Sequence, residues 1–160
     1  MSTPTRHAVS ARTPVQLAAM TVGAVFLLVG ILGFIPGVTT DFDSMRWAGH
    51  HSHAQLLGLF TVSVLHNVVH VAFGIAGLLA GVRAATARAY LIGGGGIYLV
   101  LWLYGLITDQ TSAANFVPLD TADNWLHFGL GIAMIGLSAF PADLTNTNRH
   151  LSGRQPGIIE

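Results

Sequence analysis

The sequence predicts an all-α membrane protein built as a bundle of four transmembrane helices, on three observations. The chain has 160 residues, of which 52% are apolar and only 9% are charged, whereas an average soluble domain carries about 25% charged residues. Charged residues are absent from four intervals, at 13–40, 47–82, 89–108 and 124–142. Each interval holds about 20 or more mostly apolar residues, which is enough for one helix to cross a bilayer.

Start and stop signals place the four spans at 15–35, 61–82, 89–107 and 122–140. Pro14 directly after Thr13 is typical of a helix start. Pro36 and Pro141 are expected to end the first and fourth spans, because proline cannot continue a helix.

The second charge-free interval is too long for one straight span. Its first part, residues 47–60, is expected to form an extra interfacial helix between spans one and two. This segment carries His50, His51 and His53 on the outer side of the bundle. A solvated surface is the ordinary role of such histidines, and a metal site is the alternative.

The arginines predict the orientation of the bundle. Only Arg46 shares its loops with the acidic residues near the spans, and the other six arginines flank the opposite ends: Arg6, Arg12, Arg83, Arg88, Arg149 and Arg154. Under the positive-inside rule, both termini face the cytoplasm. We therefore expect a multi-pass protein of the inner (plasma) membrane, with a cytoplasmic arm at 1–14, a membrane domain at 15–140 and a disordered cytoplasmic tail at 141–160.

Composition excludes several classes of function. A net charge near zero argues against nucleic acid as a partner, and the lack of cysteine excludes disulfides, thiolate metal sites and thiol catalysis. Ser63 near His66 lacks an orienting acid for a hydrolytic triad. The glycine run at 93–96 lacks the lysine and strand of a phosphate loop. A non-enzymatic protein is therefore expected.

An internal repeat is predicted from the second and fourth spans. Residues 67–76 and 124–133 both read N-x-x-H-x-x-x-G-I-A. Asn and His are uncommon within membranes, so the shared pair predicts two related helical hairpins. Both copies run from outside to inside, which implies a symmetry axis near the membrane normal. The alternative is a chance match between apolar segments.

Helical periodicity gathers the polar residues of these spans on one face of each helix. Because hydrocarbon offers no hydrogen-bond partner, these faces are expected to converge inside the outer third of the bundle. The predicted polar cluster is His66, Asn67, His70, Asp120, Asp123, Asn124 and His127. Close helix packing through small residues is expected at Gly74, Gly77, Gly81 and Gly131.

Several segments together resemble the bacterial membrane-protein family known as domain of unknown function 4383. They are LHNVVH at 65–70, YLVLWLYG at 98–105, SAANFVP at 112–118 and TADNWLH at 121–127. The resemblance covers roughly residues 15–140. It implies a four-helix membrane protein of bacterial origin and implies no activity.

Three histidines of the polar cluster are candidate metal ligands. His66 and His70 lie four residues apart, a spacing at which two imidazoles can share an ion, and His127 is expected at similar depth. Such a site would suit zinc, copper or iron, and a haem held by His70 and His127 is a variant. The plainer interpretation is a structural hydrogen-bond network without a cofactor. A proton-linked role of these histidines is a third interpretation.

Three functions follow from these features. The first is a non-enzymatic component whose partner is the lipid bilayer, acting as an accessory subunit of a larger membrane complex or as a homo-oligomer. The second is a metal- or haem-binding redox or metal-handling protein. The third is a subunit of an oligomeric transporter or channel, because four helices are few for a complete pathway.

Overall fold

The computed structural model describes residues 11–142, and these residues are mostly helical. They form four α-helices: α1 (Pro14–Leu32), α2 (Val64–Ala80), α3 (Ala84–Ile107) and α4 (Thr121–Ser138). The predicted predominance of α-helix is therefore confirmed. Most of the predicted arm at 1–14 and most of the tail at 141–160 lie outside the described residues.

Three short strands lie between α1 and α2. Strands β1 (Thr39–Thr40), β2 (Gln55–Leu56) and β3 (Phe60–Thr61) form an antiparallel sheet in the order β1-β2-β3. Buried Ala54, Leu56 and Val62 pack beneath it. The chain between α1 and α2 is therefore a folded cap at one end of the helices.

The prediction of an interfacial helix at 47–60 is wrong. This segment is described throughout, and it forms turns together with β2 and β3. Gly49 and Gly58 have φ angles of +87° and +67°, and Leu57 has a φ of +55°. Three left-handed residues in one short segment are incompatible with a continuous right-handed helix.

Two helices begin at positions that differ from the predicted ones. Helix α2 begins at Val64 because the Ser63 hydroxyl caps it, accepting the His66 N–H at 3.1 Å. Helix α3 begins at Ala84, before the predicted residue 89, and so includes Arg88. The Arg88 guanidinium donates to Ser138 O at 2.9 Å, which satisfies a carbonyl at the end of α4.

The start of α1 is held in a similar way. The Gln16 side-chain amide donates to Gly81 O at 3.1 Å and to Val82 O at 2.7 Å, at the end of α2. Thus α1 is tied to the end of α2, and α3 is tied to the end of α4.

Glycines let α1 pack on α2 and α3 pack on α4 at backbone distance. A Cβ added at Gly23 would lie 2.7 Å from Leu78 N and 2.8 Å from Gly74 O. A Cβ added at Gly95 would lie 2.8 Å from Gly131 O. Real Cβ atoms do not approach backbone this closely, so each helix pair depends on a missing side chain.

Two aromatic rings join the two helix pairs. Phe26 of α1 and Tyr98 of α3 are both buried, and their rings stack with centroids 5.3 Å apart and planes 6° apart. These side chains belong to a core with small neighbours such as Ala18, Ala19 and Ala87. The helices therefore meet over a core of alanine and aromatic side chains together with Val15, Leu91 and Met134.

Large apolar side chains cover the outer surface of the helices. Leu28, Leu79 and Val100 are 57%, 69% and 65% exposed. Helices α1 and α3 are long and apolar enough to cross a membrane, and α2 is apolar but shorter.

Candidate functional site

The N-terminal ends of α2 and α4 position the predicted polar cluster. Ser63 caps α2, and Asp120 caps α4 by accepting the Asp123 N–H at 2.8 Å. The second oxygen of Asp120 accepts from the Thr61 N–H at 3.1 Å and the Thr61 hydroxyl at 3.0 Å. Asp120 therefore fixes the sheet to the start of α4, a long-range contact that no local pattern predicts.

The two asparagines each cover a glycine at the end of the preceding helix. A Cβ added at Gly33 would overlap the side-chain amide of Asn67, and a Cβ added at Gly105 would overlap that of Asn124. Both asparagines are buried. Neither Gly33 nor Gly105 was among the predicted packing residues, although each stands ten positions after a contact glycine, Gly23 or Gly95.

The predicted packing glycines lie at contacts between helices. Gly74 and Gly131 face the backbone of α1 or α3, while Gly77 meets Gly23 and the Tyr90 ring. Gly81, the residue after α2, lies against the Met20 side chain.

The three histidines of the cluster lie together beside the aromatic core. His66 and His70 stack with ring centroids 4.5 Å apart. His70 lies 5.6 Å from Phe26, and His127 lies 5.1 Å from Tyr98, with similar ring tilts of 52° and 47°. Each of the two stacked aromatic rings therefore has one histidine as its neighbour, His70 beside Phe26 and His127 beside Tyr98.

The hydrogen bonding of these histidines is incomplete. His70 Nδ1 donates to His66 O at 3.0 Å, and because a carbonyl only accepts, Nδ1 carries the proton. Within residues 11–142, His66 Nδ1, His127 Nδ1 and Asn124 Oδ1 are buried without a partner. Buried polar groups usually have a partner, so this cluster is not a closed network by itself.

Metal binding has limited support from this geometry. Over the described part of the chain, no group of three or more His, Asp or Glu side chains is arranged to hold an ion. Of the outer candidates, His50 and His51 have ring centroids 4.0 Å apart. His51 and His53 are exposed. A metal held by fewer of these ligands, or a haem, stays a prediction.

His50 also lies near the loop that follows α3. The Thr111 N–H and hydroxyl both donate to Asp109, at 2.9 and 2.8 Å, and they lower the pKa of that carboxyl below its ordinary value, with a minor contribution from His50. Gly49 N donates to Phe116 O at 2.7 Å. The two outer loops therefore contact each other above the helix ends.

Two cavities flank the histidines. One has a volume of about 120 Å³ and the other about 270 Å³, and His66, His70 and His127 line both. The sheet contributes Leu56 and Phe60 to the smaller cavity, and the loop before α4 contributes Phe116 and Val117 to the larger one. Sequence reasoning missed these loop residues, because their places depend on long-range contacts.

The fold and the site define a helical protein with two helices able to cross a membrane and with polar residues gathered at one helix end. The chain belongs to the family described as domain of unknown function (DUF4383), whose model matches residues 16–140. This confirms the resemblance recognised from the sequence. No curated protein and no solved structure matches the chain.

Proposed function

We propose that the chain is a non-enzymatic, multi-pass protein of the inner (plasma) membrane in which all four helices cross the bilayer. The observation that carries the proposal is the distribution of polar and apolar side chains between the interior and the surface. Buried positions hold polar residues such as Asn67, Asn124 and His127, whereas Leu79 and Val100 are mostly exposed. A bilayer solvates the exposed apolar side chains and favours polar groups that face inward.

The proposed membrane domain consists of two copies of one helical hairpin. Positions in α1 and α3 correspond with an offset of 72, and positions in α2 and α4 correspond with an offset of 57. These two offsets relate the glycine contacts, the asparagine–glycine contacts, the aromatic–histidine contacts and the helix caps of the two hairpins. Four kinds of contact under two constant offsets support a repeat more strongly than the N-x-x-H pattern alone.

The hairpin ends extend this correspondence. Gln16 and Arg88 are related by the first offset, and the carbonyls that they bind, at Gly81 and Ser138, are related by the second. In the proposed orientation these ends face the cytoplasm, since Arg83 and Arg88 lie there. The polar cluster then lies in the outer third of the membrane.

The proposed role is that of an accessory subunit or a homo-oligomer. The exposed helix faces offer apolar surface for lipid or for another membrane helix. Size-exclusion chromatography with light scattering on the purified full chain measures this directly. A mass equal to one chain, with no copurifying stoichiometric partner, would contradict the role.

Cysteine labelling in intact cells tests the membrane placement, and the cysteine-free sequence gives a silent background. Thr40→Cys and Thr111→Cys are expected to react with an impermeant maleimide from outside, whereas Ala85→Cys reacts only after permeabilisation. All three positions are exposed. Labelling of all three from the same side would overturn the four-span proposal.

A further inference from the structure

The larger cavity lies at the seam between α2 and α3. Val69 and Leu65 of α2 face Ile97 and Leu101 of α3 across it, and Phe116 of the following loop closes one end. Val69, Ile97 and Phe116 are also about half exposed on the outer surface. The cavity is therefore close to the apolar surface, and it opens toward lipid if the membrane placement proposed above holds.

The smaller cavity is the counterpart of the larger one at the seam between α1 and α4. By the offsets of 57 and 72, its lining residues Asp123, Leu126 and Val29 correspond to His66, Val69 and Leu101. The sheet adds Leu56, Leu57 and Phe60 to this lining. With these side chains in its lining, the seam between α1 and α4 keeps about 120 Å³, whereas the seam between α2 and α3 keeps about 270 Å³.

The polar end of the larger cavity has unused hydrogen-bonding capacity. His66 and His127 are 8% and 4% exposed, and Nδ1 of each has no partner within the described chain. A neutral imidazole has one donor and one acceptor nitrogen, so it can pair with a hydroxyl or a carbonyl oxygen. Among residues 11–142, no arginine lines the cavity, so an anionic headgroup would lack a counter-charge there.

The lining favours a planar ring. Tyr98, Phe116 and the three imidazoles line the cavity, and aromatic side chains pack well against another ring. An apolar cavity of about 150 Å³ is known to hold benzene, so the larger cavity has room for a substituted ring. A saturated chain attached to such a ring would leave between Val69 and Ile97 toward the apolar surface.

We propose that this cavity binds a neutral, membrane-soluble molecule whose planar ring carries carbonyl or hydroxyl oxygens, the quinone and quinol class. The ring lies between α2 and α3, and one ring oxygen pairs with His66 or His127. The binding is reversible and involves no chemical step.

Native mass spectrometry of the full chain in detergent, titrated with decylubiquinone, tests this proposal. One ligand per chain is expected to bind saturably, whereas decanol, which has the same chain length and no ring, should not compete. Val69→Phe fills the cavity and is expected to weaken binding at least tenfold. Leu126→Phe is the matched control, because it occupies the counterpart position and should change binding less than twofold.

Two further variants keep the test decisive. Ile97→Phe fills the cavity from α3 and replaces Val69→Phe if that variant loses its native melting curve. His66→Phe preserves ring volume and removes both nitrogens, and it is expected to weaken binding about tenfold, the effect of one hydrogen bond to a buried group. Equal binding of decanol, or an equal loss in Leu126→Phe, would overturn the proposal, as would the absence of saturable binding.

This inference takes its lipid-facing opening from the proposed function, and the two fail separately. Normal cysteine labelling without ligand binding removes the quinone site and leaves the four-span protein. Saturable, Val69-dependent binding with abnormal labelling leaves the site and removes the membrane placement.

Discussion

The α1–α2 and α3–α4 hairpins differ most clearly at the third residue after each helix cap. This position holds His66 in α2 and Asp123 in α4, although the next residue is asparagine in both. Each asparagine side chain occupies the space that a Cβ on its glycine would need, whereas His66 and Asp123 each line a cavity. The asparagines and the glycines that they cover are alike in the two hairpins, as are His70 and His127, whereas the residues at 66 and 123 have diverged.

The connections between the helices differ even more. A sheet joins α1 to α2, while turns that Asn115 stabilises through Gln110 O and Leu119 O join α3 to α4. The sheet contributes side chains to the smaller cavity, and the turns contribute Phe116 and Val117 to the larger one. The comparison indicates that helix packing determines the scaffold, while the connections complete the lining of each cavity.

The largest effect is expected where the two hairpins are most alike. Gly23→Ala and Gly95→Ala should each destabilise the protein by about 3 kcal/mol, because the added methyl would lie within 2.8 Å of backbone atoms of the neighbouring helix, which cannot move aside as a side chain can. The measurement is thermal unfolding in detergent followed by circular dichroism.

Gly96→Ala is the matched control for these two variants. No atom of the described residues lies within 4 Å of a Cβ added there. Alanine has the higher helix propensity, so this variant should gain up to about 1 kcal/mol. Similar losses in all three variants would show that the glycine contacts are not specific.

The helix caps of the two hairpins differ in the number of hydrogen bonds that they accept. Asp120→Ala removes three hydrogen bonds, to Asp123 N and to two groups of Thr61, and should cost about 2 kcal/mol. Ser63→Ala removes the one bond to His66 N and should cost about 1 kcal/mol. Equal losses in unfolding experiments would mean that the contact between sheet and α4 contributes nothing.

The stacked aromatic pair tests whether ring shape or polarity matters. Tyr98→Phe makes the pair identical and should change stability by less than about 0.5 kcal/mol. Tyr98→Leu loses the ring against Phe26 and should cost about 1 kcal/mol more. If Tyr98→Phe is as destabilising as Tyr98→Leu, the hydroxyl rather than the stack holds the two hairpins together.

The smallest effect is expected from removal of metal. Treatment of the purified chain with EDTA should move the melting temperature by less than about 1 °C, because no group of three or more potential ligands is arranged to hold an ion within residues 11–142 and only a bound ion would stabilise the folded state. Elemental analysis before and after treatment is the control. Stoichiometric metal that is lost together with a fall in melting temperature would favour the ligand set of His66, His70 and His127.

The helices could be predicted from the sequence because a charge-free apolar segment and a helix end are local features. The sheet could not, since two-residue strands have no periodicity and Leu57 adopts a positive φ that its residue type disfavours. The early start of α3 also escaped prediction. Arg88 was assigned to a loop by its charge, whereas carbonyls of α4 accommodate it within a helix.

Part of the candidate site could be predicted from spacing alone. The N-x-x-H pattern drew attention to Asn67, His70, Asn124 and His127, of which His70 and His127 line the same two cavities. The aromatic residues beside them were treated as ordinary core or interface residues, because nothing local shows that Phe26 and Tyr98 meet. Loop residues such as Phe116 reach the cavity only through the tertiary fold.

The stacked rings of Phe26 and Tyr98 have a consequence for how such a chain can arise. A single hairpin with one aromatic residue at this position presents a surface that pairs with its own copy around a two-fold axis. The residues between α2 and α3 tether two such hairpins, so that their pairing no longer depends on protein concentration. Once tethered, the halves are free to accumulate different substitutions, and the two cavities between them come to differ in volume, about 270 Å³ at one seam and about 120 Å³ at the other.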